Sequence, residues 1–277
     1  MFNIYSQVNP ITTRLLEIQE KWRTDSMDKT QQGKDDTLSD KEREPYTIDS
    51  SGRVSPVIIQ KLKGKRALVT GASGGIGKAI CASLEAEGIK VCKTSTSVED
   101  GILADLRYDI YHLCHAVLRE IGTPDIIVNC AGILPRDSVI KTTDEQIHDA
   151  FAVNVFSVMR ICRFFLPAMM ERRSGHIINI GSSSCYSAAA NRSLYAATKH
   201  AILGFTRALD DEVWRYGIRV HIISPASVNT SMHIDTPTYD RATLILPQEL
   251  ADAVMYCLRS DGPGIVTELK INRFGGR

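Results

Sequence analysis

The chain has 277 residues, of which 43% are hydrophobic and 23% charged, and its formal net charge is +1 at pH 7. That composition is typical of a soluble globular protein, and the near-zero charge gives no reason to expect nucleic acid or a membrane surface as a partner. No apolar run approaches the roughly 18–20 residues that span a bilayer. Residues 1–30 lack a signal-peptide pattern. The seven cysteines are scattered and odd in number, which indicates reduced thiols, and we expect a cytoplasmic protein.

The first 60 residues differ from the rest of the chain. Residues 11–23 carry a short amphipathic helical pattern with Leu15, Ile18 and Trp22 on one face. Residues 24–55 are polar and nearly free of large apolar side chains, which predicts a largely disordered segment. We therefore predict an N-terminal extension over residues 1–60 and one folded domain over residues 61–277. The extension is either a dispensable tail or an arm that docks on a subunit or partner.

A glycine-rich turn follows the first predicted strand, Arg66–Thr70, and precedes an amphipathic helical pattern. Glycines at such a turn let backbone N–H groups approach a pyrophosphate, and the helix N-terminus favours the negative charge. The turn therefore predicts a dinucleotide-binding site. The residues expected to contact the dinucleotide here are Gly71, Ser73, Gly75, Ile76 and Gly77.

The next two predicted strands are Lys90–Thr94 and Ile102–Leu106, without the usual helix between them. Ser95 and Thr96 follow the first of these strands, where an NAD-preferring site normally carries a carboxylate for the ribose hydroxyls. Hydroxyl side chains can bond a 2′-phosphate without repelling it. The sequence therefore favours NADP(H) over NAD(H).

Helices and strands alternate through the rest of the chain. The predicted elements are helix Tyr108–Ile121, strand Asp125–Asn129, helix Asp144–Arg172, strand His176–Ile180, helix Ser193–Tyr216, strand Ile218–Ile223, helix Pro247–Leu258 and strand Ile265–Asn272. This alternation predicts a single α/β domain, a Rossmann-like doubly wound parallel sheet with helices on both faces. Pro167 should kink or loosen its helix.

Three side chains that could bind a metal, His112, Cys114 and His115, lie on one predicted helical turn. We expect this turn to be exposed. Because no fourth ligand lies nearby in the sequence, we predict surface residues and no metal site.

The most informative pair is Tyr195 and Lys199, which are four residues apart on a predicted helix and so share a face. A cation within roughly 4–6 Å favours the ionised form of a phenol, so Tyr195 could pass a proton near neutral pH. Ser182, at the end of a predicted strand, could hold a substrate oxygen against it. A tyrosine and lysine at this spacing also occur on solvated helices, but the serine and the glycine-rich turn favour catalysis.

In this combination the sequence resembles the short-chain dehydrogenase/reductase family from about Leu62 to the C-terminus. The resemblance implies a 3-oxoacyl-acyl-carrier-protein-reductase-like ketoreductase or alcohol dehydrogenase that moves hydride between a nicotinamide cofactor and a carbonyl/alcohol substrate. It implies that Tyr195 is the acid/base and that Lys199 assists it and holds the nicotinamide ribose. It also implies that Ser182 orients the carbonyl and that Asn154 kinks its helix and anchors a water of the proton relay.

Two further segments carry the resemblance. Residues 129–132 match the family's Asn-Asn-Ala-Gly turn except for Cys130, and residues 225–230 match its nicotinamide loop except for Ala226. Further cofactor contacts are implied at Asp105, Leu106, Asn129, Ala131, Gly132, Tyr195, Lys199, Pro225, Val228 and Thr230. Gly74 stands where many NADP-preferring relatives carry Arg or Lys, so this position supplies no cation. Family members are usually dimeric or tetrameric, which implies a homotetramer or homodimer.

Two other functions stay open. The chain could be a catalytically silent member of the fold that senses nucleotides or serves as a scaffold, although an intact catalytic set weighs against this. A dehydratase or epimerase is less favoured, because nothing suggests a second acid/base. The substrate pocket is expected at Leu134, Pro135, Tyr186 and residues 232–239, which suits acyl thioesters, sterols, polyketides and small ketones equally.

Overall fold

The computed structural model describes residues 62–97, 101–233, 241–260 and 264–274, together with helical positions at Thr13, Glu17, Ile18, Glu20 and Lys21. The segment predicted to be disordered lies outside these described residues. In the described part, seven parallel strands form one sheet in the order β3-β2-β1-β4-β5-β6-β7. The strands are β1 (Arg66–Thr70), β2 (Lys90–Ser95), β3 (Ile102–Leu103), β4 (Ile126–Asn129), β5 (Gly175–Ile180), β6 (Ile218–Pro225) and β7 (Glu268–Ile271).

Helices cover both faces of this sheet. They are α1 (Gly75–Ala86), α2 (Ile110–Ile121), α3 (Asp144–Phe151), α4 (Ser157–Glu171), α5 (Ser193–Val213) and α6 (Pro247–Arg259). Leu68 packs into a buried apolar cluster with α2, α4 and α5, whereas its neighbour Val69 packs with α1 and α6. Successive side chains of a strand point to opposite faces, so this division confirms the predicted doubly wound α/β fold.

The third strand is shorter than predicted. Only Ile102 and Leu103 pair with β2, and the predicted continuation to Leu106 is wrong. Asp105 ends the strand, because its side chain accepts a hydrogen bond from the backbone N–H of Arg107 at 3.0 Å and its carbonyl accepts from Tyr108 at 3.0 Å. Aspartate favours such turns for this reason.

The long predicted helix changes its winding at Asn154. Residues Ala152–Phe156 form a π-helical turn between α3 and α4, a feature that is frequent at functional sites. Pro167 lies further along, buried inside α4, which continues to Glu171.

The same helical run, Asp144–Glu171, is long and apolar enough by composition to cross a membrane, with a mean hydropathy of 1.4 over its most apolar window. The sequence-based expectation that no segment is long and apolar enough to span a bilayer is therefore wrong. Most of the window is buried inside the protein, and Ile161, Phe165 and Met169 are fully inaccessible. The apolar character of this helix is thus used for packing in the core.

The predicted exposed turn with His112, Cys114 and His115 is also different in the structure. Cys114 is fully buried in the core, and the His115 ring packs edge-on against Phe164 at a centroid distance of 5.2 Å. Burial lowers the pKa of His115. The three side chains do not share an exposed face. Within the described ranges, no group of three or more His, Cys, Asp or Glu side chains is placed to hold a metal ion.

Candidate active site

A cavity of about 490 Å³ lies at the carboxyl edge of the sheet, beside the turn between β1 and α1. The predicted cofactor residues that line it are Gly71, Ser73, Gly75, Ile76, Gly77, Ser95, Thr96, Asp105, Leu106, Ala131, Gly132 and Thr230. The others, Asn129, Tyr195, Lys199, Pro225 and Val228, lie outside its lining. Asn129 is buried and donates to Asn179 at 2.8 Å, and Val228 packs with Ile245 and Leu250.

The glycines of the turn are required by its backbone. Gly71 has a φ of +67°, and a Cβ atom there would lie 2.7 Å from the Ala131 Cα. A Cβ at Gly77 would collide with the Gly71 carbonyl oxygen. The turn is therefore packed closely on itself and on the loop after β4, and it lines the cavity at the N-terminus of α1, where backbone N–H groups favour an anion. The described residues therefore fit the diphosphate of a dinucleotide.

Three hydroxyl side chains meet at one side of this cavity. The Ser73 Oγ lies 2.5 Å from the Ser95 Oγ, and the Ser97 Oγ lies 3.2 Å from the Ser73 Oγ. Gly74, by contrast with Gly71, has an ordinary φ of −72°. A Cβ at Gly74 would come no closer than 3.4 Å to another atom, the Gly71 carbonyl oxygen. This position can therefore accept a side chain.

Arg107 also lines the cavity, and sequence reasoning missed it. Its guanidinium bonds Asp105 at 2.7 Å and Asp149 of α3 at 2.8 Å. The hydrogen bonds from Arg107 hold the pKa of both carboxyls below its usual value. Asp105, two residues before Arg107, could have suggested an ion pair at this position. Asp149 lies 42 residues from Arg107 in the sequence, and spacing at that range does not predict a contact.

Tyr195 and Lys199 occupy the first two turns of α5 and are nearly inaccessible, at 9% and 7% exposure. The Lys199 Nζ lies 5.7 Å from the centroid of the Tyr195 ring. It also donates a hydrogen bond to the Ile180 carbonyl, at the end of β5, at 2.9 Å. The ammonium group is therefore held between the tyrosine ring and the carboxyl edge of the sheet.

Ser182 begins a short turn directly after β5. Its Oγ accepts a hydrogen bond from the Ser184 backbone N–H at 3.1 Å, and its own N–H donates to the Cys185 Sγ at 3.4 Å. Cys185 is buried, with 1% exposure. The turn thus fixes Ser182 while the proton of its hydroxyl stays available to an acceptor.

Asn154 lies in the π-helical turn and contacts the loop after β4. Its side-chain amide donates to the Ile133 carbonyl at 2.9 Å and accepts from the Ile133 N–H at 2.9 Å. A Cβ added at Gly132 would lie 3.3 Å from the Asn154 Oδ1 and 4.0 Å from the Lys199 Nζ. The structure therefore brings Asn154, Lys199 and the loop after β4 together.

The residues expected to form a substrate pocket are divided. Leu134 and Pro135 line a smaller cavity of about 290 Å³. Tyr186 instead donates to Glu268 of β7 at 2.8 Å, and burial, together with this carboxylate, raises the pKa of Tyr186 to about 12. Most of the expected segment after residue 232 lies outside the described residues.

A parallel sheet with a glycine-rich turn at its carboxyl edge, and a buried tyrosine–lysine pair on the adjoining helix, define a dinucleotide-dependent α/β oxidoreductase. The family model described as short chain dehydrogenase matches residues 65–239, and the chain belongs to this family. It is an NAD(P)-dependent enzyme of that family, so the resemblance seen in the sequence is confirmed.

Individual relatives agree with this assignment. The chain is 34% identical over 239 residues to the 3-oxoacyl-[acyl-carrier-protein] reductase of Escherichia coli K12, covering 77% of this chain and 97% of that protein. It is similar to the 3-ketoacyl-(acyl-carrier-protein) reductase from Brucella melitensis complexed with NADH, with 25% identity, a TM-score of 0.70, and coverage of 76% and 98%. It is also similar to a 4-hydroxyisoleucine dehydrogenase complexed with NADH, with 26% identity, a TM-score of 0.68, and coverage of 76% and 97%.

Proposed function

We propose that this protein is an NADP(H)-dependent ketoreductase whose catalytic groups are Asn154, Ser182, Tyr195 and Lys199. The observation that carries the proposal is the convergence of Asn154 and the buried Lys199 beside Gly132, which lines the dinucleotide cavity. Relatives named as 3-oxoacyl-carrier-protein reductases make 3-oxoacyl thioesters the first substrates to test, followed by small ketones and aldehydes. Oxidation of NADPH over this panel tests the proposal, and no turnover on any substrate would favour a nucleotide-sensing protein.

The four catalytic residues have different tasks in this reaction. The bound cofactor supplies the hydride. Tyr195 donates the proton to the carbonyl oxygen as a general acid, and Ser182 donates a hydrogen bond to the same oxygen as negative charge develops on it. Lys199 places a positive charge beside the Tyr195 ring and holds the nicotinamide ribose, and Asn154 supports the proton path behind Lys199.

The preference for NADP(H) rests on the hydroxyl cluster of Ser73, Ser95 and Ser97. Hydroxyl groups can donate hydrogen bonds to a 2′-phosphate, whereas a carboxylate at the end of β2 would repel it. The two solved relatives described above are NADH complexes, so NADH is the competing cofactor. Comparing kcat/KM for NADPH and NADH tests the preference, and a higher value for NADH would contradict it.

Replacing Gly74 with arginine should sharpen this preference. The position is unstrained and open, so the new guanidinium can reach a 2′-phosphate. A hydrogen bond to a charged group is worth about 1.5–3 kcal/mol, and for a partly exposed site we expect the NADPH-to-NADH ratio of kcat/KM to rise about tenfold. Gly74→Ala is the control and should leave the ratio unchanged. If Gly74→Arg left the NADPH-to-NADH ratio of kcat/KM unchanged, the 2′-phosphate would not lie within reach of this position.

The extension over residues 1–60 is separable from catalysis in this proposal. The first strand begins at Arg66, and a polar segment cannot bury enough apolar surface to offset its ordering entropy. A chain that begins at Ser55 should therefore be soluble and keep kcat within about twofold, since no catalytic contact is removed. Insoluble or inactive protein would show instead that the early helix packs on the domain or its oligomer.

We also propose a cytoplasmic homodimer or homotetramer. Phe156, the last residue of the π-turn, is 40% exposed, and Met159, in the first turn of α4, is 36% exposed. Exposed apolar side chains of this size are often covered in oligomers. Light scattering coupled to size-exclusion chromatography measures the oligomeric state.

A further inference from the structure

The side-chain amide of Asn154 has a third partner on the helix that carries the tyrosine and lysine. Its Nδ2 donates to the Thr198 Oγ1 at 3.1 Å, and the Thr198 hydroxyl in turn donates to the Tyr195 carbonyl at 2.8 Å. Thr198 is fully buried, and Asn154 is 2% exposed. Water therefore cannot replace either bond.

The directions of these bonds follow from chemistry. A backbone carbonyl only accepts, so the single Thr198 proton goes to Tyr195, and the Thr198 oxygen is left to accept from an amide N–H. The two hydrogens of the Asn154 amide go to Thr198 and to the Ile133 carbonyl, while its oxygen accepts from the Ile133 N–H. All hydrogen-bonding groups of the Asn154 side chain except one oxygen lone pair are thus occupied by protein.

This arrangement limits what the Asn154 side chain can do. With both N–H groups occupied, it has no free donor for a substrate. Its contacts instead join three elements: the loop after β4, the π-turn Ala152–Phe156, and the turn of α5 from Tyr195 to Thr198. Thr198 is the only link between that turn and the Asn154 side chain among the hydrogen bonds of the described residues.

We propose that Thr198 is a positioning residue for the catalytic site: its hydroxyl fixes the π-turn of Asn154 against the helix turn that presents Tyr195 and Lys199. The proposal rests on the function proposed above. Without the hydroxyl, one buried N–H of Asn154 has no acceptor, which costs about as much as a lost hydrogen bond. The π-turn or α5 must then shift to satisfy it, and Asn154 moves relative to Lys199.

The chain contains a matched control on the same helix. Thr206, roughly two turns beyond Thr198, accepts from the Asn179 Nδ2 at 2.9 Å and donates to the Ile202 carbonyl at 2.7 Å. It is 2% exposed. The bonding pattern and burial are therefore nearly the same, but among the hydrogen bonds of the described residues Thr206 makes none to Asn154, Tyr195 or Lys199.

The test compares Thr198→Val, Thr198→Ser and Thr206→Val in the full chain. Valine keeps the shape of threonine and removes the hydroxyl. We expect Thr198→Val to lower kcat for carbonyl reduction about tenfold, equivalent to about 1.4 kcal/mol on the barrier. Its NADPH dissociation constant, measured by cofactor fluorescence, should stay within about threefold, because Thr198 does not line the cofactor cavity. Thr198→Ser should recover most of the lost turnover.

Thr206→Val should lower the melting temperature about as much as Thr198→Val, yet keep kcat near that of the unmodified enzyme. A Thr198→Val enzyme with normal kcat would overturn the proposal, as would equal loss of kcat in both valine variants or no recovery with serine. An unmodified enzyme that turns over no carbonyl would contradict the proposed function itself and with it the role of Thr198. If Thr198→Val does not fold, Thr198→Ala and the serine variant make the same comparison of kcat.

Discussion

Tyr195→Phe should lower kcat for carbonyl reduction about 10²–10⁴-fold, the usual contribution of a general acid. The substitution removes only the phenolic hydroxyl, and the ring, which is 9% exposed, keeps its packing. The dissociation constant for NADPH should change little, because the Tyr195 hydroxyl is assigned to the substrate oxygen and the ribose to Lys199. Stopped-flow or steady-state oxidation of NADPH gives kcat, and cofactor fluorescence gives the dissociation constant.

Tyr186→Phe is the matched control for this experiment. Tyr186 follows Ser182 by four residues, but its hydroxyl donates to Glu268 of β7, and we assign it no part in the reaction. Loss of the Tyr186 hydroxyl should lower the melting temperature but leave kcat nearly unchanged. If Tyr195→Phe kept near-normal kcat while Tyr186→Phe lost it, the proton donor would have to be reassigned.

The sheet and its helices were predictable from the sequence because their apolar patterns are strong and local. The buried strands are nearly continuous apolar runs, as parallel strands with two covered faces require. One error occurred where a single side chain overrides the pattern. Asp105 ends β3 after two residues by bonding the backbone beyond it, and the apolar content of β3 alone gave no sign of this.

The candidate site was predictable only in part, for a related reason. Tyr195 and Lys199 lie one helical turn apart, so their approach to each other is fixed by helix geometry. Arg107 meets Asp149, and Thr198 meets Asn154, through the tertiary fold over separations of 42 and 44 residues. No periodicity of a single sequence contains such pairings, and the structure was needed to find both.

Lys199→Met should both slow proton transfer and weaken cofactor binding. Methionine keeps the length and apolar stem of lysine but removes the ammonium, which lies 5.7 Å from the centroid of the Tyr195 ring and donates to the Ile180 carbonyl at 2.9 Å. We expect kcat to fall at least about 10²-fold, because proton transfer through Tyr195 loses its neighbouring charge. We also expect the NADPH dissociation constant to rise about tenfold, because the ammonium is assigned to the nicotinamide ribose as well.

The double variant Tyr195→Phe/Lys199→Met separates these two effects. Both residues act on one proton transfer, so the two losses in kcat should not multiply, and the double variant should be little slower than the slower single variant. The weakening of cofactor binding should appear only in variants that lack Lys199. Losses in kcat that multiply fully would mean that the two side chains act on separate steps, and unchanged cofactor affinity in Lys199→Met would remove the lysine from the ribose site.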